Sequence, residues 1–463
     1  MIRRTVLAWV GVVAAVVSCT QAVDDESGTD LRAAGVAELA CADEGPIAQT
    51  LSNGATWSMC WTVEPERGLV LEDVHYAPPD ADPMRVLASL TLSQLEVPYD
   101  SGERLTEDIT AAGFGGHSMQ TLSDQECVGD IHAAAIPNIG DGTHGSSPER
   151  EVLCDEVHDA GLSYRVAEGS EVYAARRTDW SLTAISKVGW YEYLTVYTFG
   201  ADGSIRPSLG ATGDLSPVDY TEPAYGWPVG PGEADYAASH AHNAVWRVHW
   251  ALDGEGELAV EQYDASETGE FGSQSPIIAG GTQSLRSPTV AEAEDRRWWR
   301  VINPQVFNDD EHPISYAIEL GASDAFTFVR DAERHGANSG YDVAFTNDDE
   351  CFVFATANRE ACGDGVLDFV ETTADDRLQD VVSWIAIGHH HVPRDEDQSP
   401  MEVHWQGFSL QPRDLMAQRP DVPDGRSGVN GQPPSGTEQN SLDPTASPAA
   451  FACGINAQNQ RKL

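Results

Sequence analysis

The chain has 463 residues, of which 22% are charged and 41% hydrophobic, with a formal net charge of −47. This is globular composition with ample material for a large core. A surface so acidic, with Lys187 and Lys462 as its only lysines, repels nucleic acid and anionic membranes, so neither is expected as a partner. The same field would draw cationic small molecules, but it reads first as a soluble surface, and charge alone says nothing about chemistry.

In chain order, Arg3 and Arg4 precede an apolar run over 6–17, too short to span a membrane and built like a signal peptide covering 1–18. Val16-Val17-Ser18-Cys19 is similar to a bacterial lipobox, which makes Cys19 the acylated residue of the mature chain. The expectation is export, with a lipid anchor at the cell envelope as the only membrane contact. An ordinary secretory signal, leaving the protein secreted, is the competing reading. The Arg pair hints at twin-arginine export, though the rest of that motif is poor. Residues 19–44 read as a polar tether, and no later run is long and apolar enough for a membrane helix.

Short β-branched and aromatic runs at 69–74, 194–199 and 244–250 predict strands. Asp202-Gly203 and Asp253-Gly254, just after two of these runs, predict hairpin turns. Helix is expected around 84–93 and 323–335. The fold class is therefore mainly β, a large sandwich of two packed sheets over 45–418 with a few short helices. From 419 to 463 the chain is rich in Pro, Gly, Ser, Asn and Gln and reads as a disordered tail.

Beyond Cys19 the cysteines are Cys41, Cys60, Cys127, Cys154, Cys351, Cys362 and Cys453. In an exported chain without a CxxC pair these are disulfide candidates, and their odd number leaves at least one unpaired or bonded between chains. Cys351 and Cys362 enclose a short loop that a hairpin would close to bonding distance.

Two histidine motifs carry candidate chemistry. His240-Ala241-His242 places two imidazoles on one face of a strand. Alone it is a weak signal, since solvated strand histidines give the same pattern. His389-His390-His391-Val392-Pro393-Arg394-Asp395-Glu396-Asp397 is rarer, although a loop of exposed polar residues could produce it. An all-imidazole set suits Cu(II) or Zn(II) with open positions for water, oxygen or substrate.

A third segment, Gly189-Trp190-Tyr191-Glu192-Tyr193, resembles the cofactor strand of copper amine oxidases, a Gly followed by Asn-Tyr-Asp/Glu-Tyr whose first Tyr becomes topaquinone. The same family follows this strand with a His-x-His, an Asp-Gly turn and a distant His-x-Pro-Arg-x-Glu-Asp. They stand here in that order as His240-Ala241-His242, Asp253-Gly254 and the run from His391 to Asp397, with Met401 beyond. Upstream, Trp57-Ser58-Met59-Cys60-Trp61 and Gly68-Leu69-Val70-Leu71-Glu72-Asp73-Val74 are similar to its opening strands. Leu92-Ser93-Gln94-Leu95-Glu96-Val97-Pro98-Tyr99 resembles the segment that ends in Val-Pro-Tyr, and Asp108 with Gly113 and Gly115 resembles the loop that supplies the catalytic base. The similarity spans about 45 to 415 and covers the catalytic domain only.

The resemblance implies oxidative deamination of a small primary amine to an aldehyde with O2, releasing ammonia and H2O2. It assigns Cu(II) to His240, His242 and His391, topaquinone to Tyr191, the base to Asp108 and ring orientation to Tyr99. It also implies a Cys127–Cys154 disulfide and a homodimer; Cys41–Cys60 is a looser pairing that leaves Cys453 in the tail.

Departures weigh against a simple transfer. Trp190 replaces an Asn, which implies slow turnover or self-inactivation. Ala111 and Ala112 stand where the Asp loop carries an acid and a Tyr, and Glu107 replaces an aromatic. His249 and Ala251 replace the two strand Asp of the family's peripheral Ca2+ site, leaving only Asp380, so no Ca2+ is expected. The alternative reading is a catalytically decayed, copper-binding surface lipoprotein on the same scaffold. A zinc hydrolase fits worse, since neither His motif has a Glu beside it as general base.

Overall fold

The computed structural model describes residues 35–422 apart from 42–44, 107, 137–148, 169, 218–219, 232–235, 255–256 and 360–361. The expected leader, Cys19, most of the tether, Glu107 and Cys453 lie outside the described residues.

Two antiparallel sheets, of nine and ten strands, dominate the described chain. In the first, the strands Pro46–Thr50, Thr56–Glu64, Gly68–Ala77 and Met84–Pro98 form a meander. His240–Trp250 then pairs with Met84–Pro98, and Val381–His391 pairs with His240–Trp250. The second sheet has Tyr191–Gly200 between Glu171–Val188 and Ile205–Gly213, and Met401–Arg413 next to Ile205–Gly213.

The strands expected at 69–74, 194–199 and 244–250 are all present. Their alternation explains the layering: Tyr191, Tyr193, Thr195, Tyr197 and Phe199 are buried, and the residues alternating with them are less so. These side chains meet those of the nine-stranded sheet. Trp57 and Phe199 have ring centroids 5.0 Å apart, and Tyr197 Oη accepts the Leu92 backbone N–H at 2.9 Å. A second apolar cluster, including Phe328, Tyr341, Phe352 and Trp384, covers the outer face of the nine-stranded sheet.

Three expectations need correction. Residues 84–93 are not helical but the start of the Met84–Pro98 strand. Their apolar spacing suggests a helix, yet the strand is buried over most of its length, and packing overrides local pattern. In 323–335 only Val329–His335 is helical, because the stretch before it is held along the nine-stranded sheet, where Asp324 N–H donates to the Gly388 carbonyl at 2.9 Å. Asp202-Gly203 does turn a hairpin, with Gly203 at φ +86°. Asp253-Gly254 does not: the strands on either side belong to different sheets, so this turn carries the chain across the sandwich.

Disulfides join Cys41–Cys60, Cys127–Cys154 and Cys351–Cys362, with Cα separations of 5.3, 5.6 and 5.1 Å. At the C-terminal end, Arg419 and Asp421 pair with each other at 2.9 Å and both bond Ser163, fixing the first residues of the expected tail.

Candidate active site

Strand register assembles the histidines. His240 lies opposite His391, and His242 lies opposite His389, on adjacent strands of the nine-stranded sheet. The even spacing turns His240 and His242 inward, toward the ten-stranded sheet. There the first residue of the Tyr191–Gly200 strand meets them. Tyr191 Oη is 2.8 Å from His240 Nε2 and 3.2 Å from His391 Nδ1. One ligand atom from each of His240, His242 and His391 lies within 4.8 Å of the others, and the three side chains are 1–3% exposed.

Each imidazole is oriented from behind. His240 Nδ1 is 3.0 Å from the Ala238 carbonyl, His242 Nδ1 is 3.1 Å from Tyr193 Oη, and His391 Nε2 is 2.9 Å from Asp397 Oδ2. A backbone carbonyl and a carboxylate fix which ring nitrogen carries the proton, and so free the other as a ligand. His242 Nε2 is buried and has no hydrogen-bond partner among the described residues. A bare buried nitrogen is unfavourable unless something occupies it, and a metal ion would.

Burial sets the electrostatics. Desolvation pushes His240 down to about 3, assisted by neighbouring His391, and takes His242 well below its usual range. His391 falls to about 4, again through burial, with Asp397 pulling the other way. The imidazoles are therefore neutral at ordinary pH, with lone pairs available. Asp397 is fully enclosed; burial pushes its carboxyl up, but the hydrogen bonds from His391 and Arg394 outweigh that and hold it low.

Of the other expected residues, Tyr99 bridges His240 at the strand end and stacks on its ring, centroids 4.8 Å apart. Asp108 caps the short helix Ile109–Ala112, its carboxylate accepting the Thr110 N–H at 2.7 Å and the Thr110 hydroxyl. The loop beyond is held close: a Cβ at Gly115 would meet the Glu64 carbonyl at 1.8 Å, and Phe114 stacks on Tyr193 at 5.6 Å. Trp190 is 41% exposed and does not fill the core beside Tyr191. At the strand's far end, His249 spans Asp380 at 2.7 Å and Asp348 at 3.6 Å, and Arg247 neutralises Asp348.

Several roles at the site, and on the sheet face behind it, escaped sequence reasoning. Tyr193 supports His242. Glu96, 2% exposed, accepts the Val329 N–H at 2.9 Å. Its carboxyl is raised to about 7, mainly by burial and further by the charge of Asp108. His389 and His404 adjoin the ligand set, with rings 6.3 Å from His242 and 4.5 Å from His391. Glu96 stands out in sequence only as a charge inside an apolar run, and His404 carries no signal at all.

A tyrosine from one sheet faces three neutral, converging imidazoles from the other, donor atoms placed so that they could hold one metal ion with a phenol beside it. The model of the copper amine oxidase enzyme domain matches residues 50–426, and the chain belongs to that family. Among curated relatives it is 25% identical to a histamine oxidase of Arthrobacter globiformis, over 83% of this chain and 59% of that one. It is 24% identical to a primary amine oxidase of Arthrobacter sp. (strain P1), over 86% and 63%. The chain thus spans about three fifths of the length of these relatives. Among solved structures, a copper-containing benzylamine oxidase from Hansenula polymorpha superposes with a TM-score of 0.67 at 23% identity, covering 83% of this chain and 63% of that one. An Aspergillus nidulans amine oxidase gives 0.65 at 18%, covering 79% and 52%. These likenesses establish the fold.

Proposed function

We propose that this chain oxidises primary amines with O2, using Cu(II) held by His240, His242 and His391 and a topaquinone made from Tyr191. The observation that carries the reading is the convergence of His240 Nε2 and His391 Nδ1 on the Tyr191 hydroxyl, beside the bare Nε2 of His242. This donor set fits copper: three neutral nitrogen ligands with the phenol at an adjoining position. Held there, copper would supply with O2 the oxidation that turns the Tyr191 ring into a quinone, and the quinone would supply an electrophilic carbonyl and a two-electron acceptor for the amine.

The rest is the work of side chains. Asp397 and the Ala238 carbonyl hold His391 and His240 in the ligating tautomer, and Tyr193 does so for His242. Tyr99 flanks His240 and limits how far the Tyr191 ring can swing toward it. Asp108 takes the proton from the carbon next to the amine nitrogen; the Thr110 bonds that now hold its carboxylate fix its direction until substrate arrives. The buried walls exclude water around these groups.

Copper added aerobically to the metal-free protein should produce a visible quinone band that phenylhydrazine traps, with a mass change on the Tyr191 peptide. An unmodified Tyr191 peptide at full copper occupancy counts decisively against the reading.

Two further elements belong to the proposal. The hairpin of Ala259–Phe271 and Pro276–Leu285 exposes Phe271, Ile277 and Ile278, apolar surface that supports a homodimer, testable by light scattering. The leader supports export with acylation at Cys19; a mature chain lacking a lipid mass at its N-terminus would leave secretion instead.

A further inference from the structure

The end of the sandwich that holds the three histidines carries a second group of metal-binding atoms. His404 stands on the Met401–Arg413 strand of the ten-stranded sheet, opposite Ala211. Asp397 comes from the short 3-10 turn Asp395–Asp397 that connects this strand to Val381–His391. His391 shows this group its outer nitrogen, Nε2, while its Nδ1 faces Tyr191. One ligand atom from each of His391, Asp397 and His404 lies within 4.8 Å of the others.

Within this group His391 and Asp397 are hydrogen-bonded, but His404 and Asp397 are not. His404 Nε2 lies within ion-pair distance of Asp397 Oδ1, at 3.3 Å, yet it has no hydrogen-bond partner among the described residues. The His404 side chain is 14% exposed and Asp397 wholly enclosed, so solvent does not readily compensate. His389 repeats the pattern: its Nε2 is also buried without a partner, and its ring lies 5.8 Å from that of His404, nearly perpendicular. Natural proteins rarely leave such nitrogens bare. A separation of 3.3 Å is also the edge of a tetrahedron whose ligands sit about 2.0 Å from a central ion.

We propose that a second divalent transition ion, zinc(II) or a further copper(II), binds His404, Asp397 and Nε2 of His391, so that the His391 imidazole links it to the first copper. His389 is the further imidazole available to it. Two imidazoles and one carboxylate form a donor set for Zn(II) or Cu(II) rather than for Ca2+ or Mg2+. Binding displaces the proton on His391 Nε2, which leaves to solvent. The bridging ring and Asp397 then carry two negative charges against the added ion. The inference rests on the copper reading of His240, His242 and His391, since it needs their ion on the other face of His391.

The test counts metals on the full-length chain, in a Tyr191→Phe background so that no quinone contributes. Metal-free protein receives either excess Cu(II) or one equivalent of Cu(II) followed by excess Zn(II), and loosely held ions are removed on a chelating resin. Expected are two ions per chain in both cases. Electron paramagnetic resonance should detect one full copper spin in the mixed form and far less spin than copper in the dicopper form, through coupling across His391. His404→Ala should drop to one ion with the copper signal retained, and His404→Gln serves if the smaller residue unfolds the chain. One ion per chain in the unaltered site, two ions surviving His404→Ala, or full uncoupled spin for two coppers overturns the proposal. A single ion kept in His404→Ala and lost in His240→Ala leaves the copper reading standing alone. The reverse pattern removes that reading itself.

Discussion

The His240–Trp250 strand separates two buried polar regions with opposite responses to the same physical cause. On its inner face His240 and His242 lose water and become harder to protonate. On the outer face Asn243 lies opposite Glu96, and there the loss of water makes Glu96 and Asp331 harder to ionise, raising them to about 7 and about 6. Burial therefore favours the neutral form in both regions. They differ in what neutrality is for: a neutral imidazole is a ready ligand, whereas a neutral carboxyl is a poor one. The difference teaches that burial selects the metal side of the sheet before any metal arrives.

Asp108 lies close enough to Glu96 for its charge to be felt there, and replacing it gives the largest expected effect. Asp108→Asn should lower turnover on an accepted amine by about 10²–10⁴-fold while copper content stays full. It should also lower the Glu96 pKa, since the charge of Asp108 helps to raise it. Near-normal turnover in the variant rules Asp108 out as the base.

The two faces should also separate in a pH titration of stability. The inner histidines titrate near 6.5 when unfolded but at about 3 and about 4 for His240 and His391 when folded. The unfolded chain binds the extra protons, so metal-free protein loses stability as pH falls from about 6.5 toward about 4. Glu96 runs the other way. Its folded value of about 7 exceeds 4.5, so its contribution is favourable below 4.5 and is lost as pH rises through about 7. Glu96→Gln should therefore stabilise the fold above pH 7, by on the order of 2 kcal/mol, and do nothing useful below pH 4. Melting curves across pH 4–8 decide both, and an unchanged alkaline limb in the variant removes Glu96 from the account.

Smaller effects sharpen the inner face. Tyr193→Phe deletes the partner of His242 Nδ1 and should weaken copper binding by about 10–100-fold, read by chelator competition. Trp190→Asn should raise turnover only a few-fold and leave copper content alone; its half-exposed indole has little packing to lose. A rate and inactivation profile that do not move make Trp190 a neutral replacement.

What the sequence disclosed divides along similar lines. Motifs with local periodicity were legible: His240 and His242 two apart on a strand, Tyr191 opening another, and the run ending in Asp397. So were the three disulfides, although the Cys127–Cys154 pairing came from family resemblance rather than from spacing. The misread helix at 84–93 shows where local pattern fails, because a strand covered on both faces has no alternation to show. The roles of Glu96 and His404, and the place of His389 beside His242 rather than in an exposed loop, stayed hidden for a different reason. Their neighbours are set by register between strands or by packing between sheets, and neither is written in any short window.

The distances along the chain have a consequence for assembly. Tyr191 and His240 are 49 residues apart, and Tyr191 and His391 are 200 apart. None of the contacts around the phenol can form until both sheets have been built and have closed on each other, and long loops make such closure slow. A chain still waiting for its last strands, Val381–His391 and Met401–Arg413, presents only two of the three converging imidazoles. Tight copper uptake is then a timer of completed folding: the rate at which the protein captures the ion should follow the rate of the final docking step and be independent of how much copper is offered.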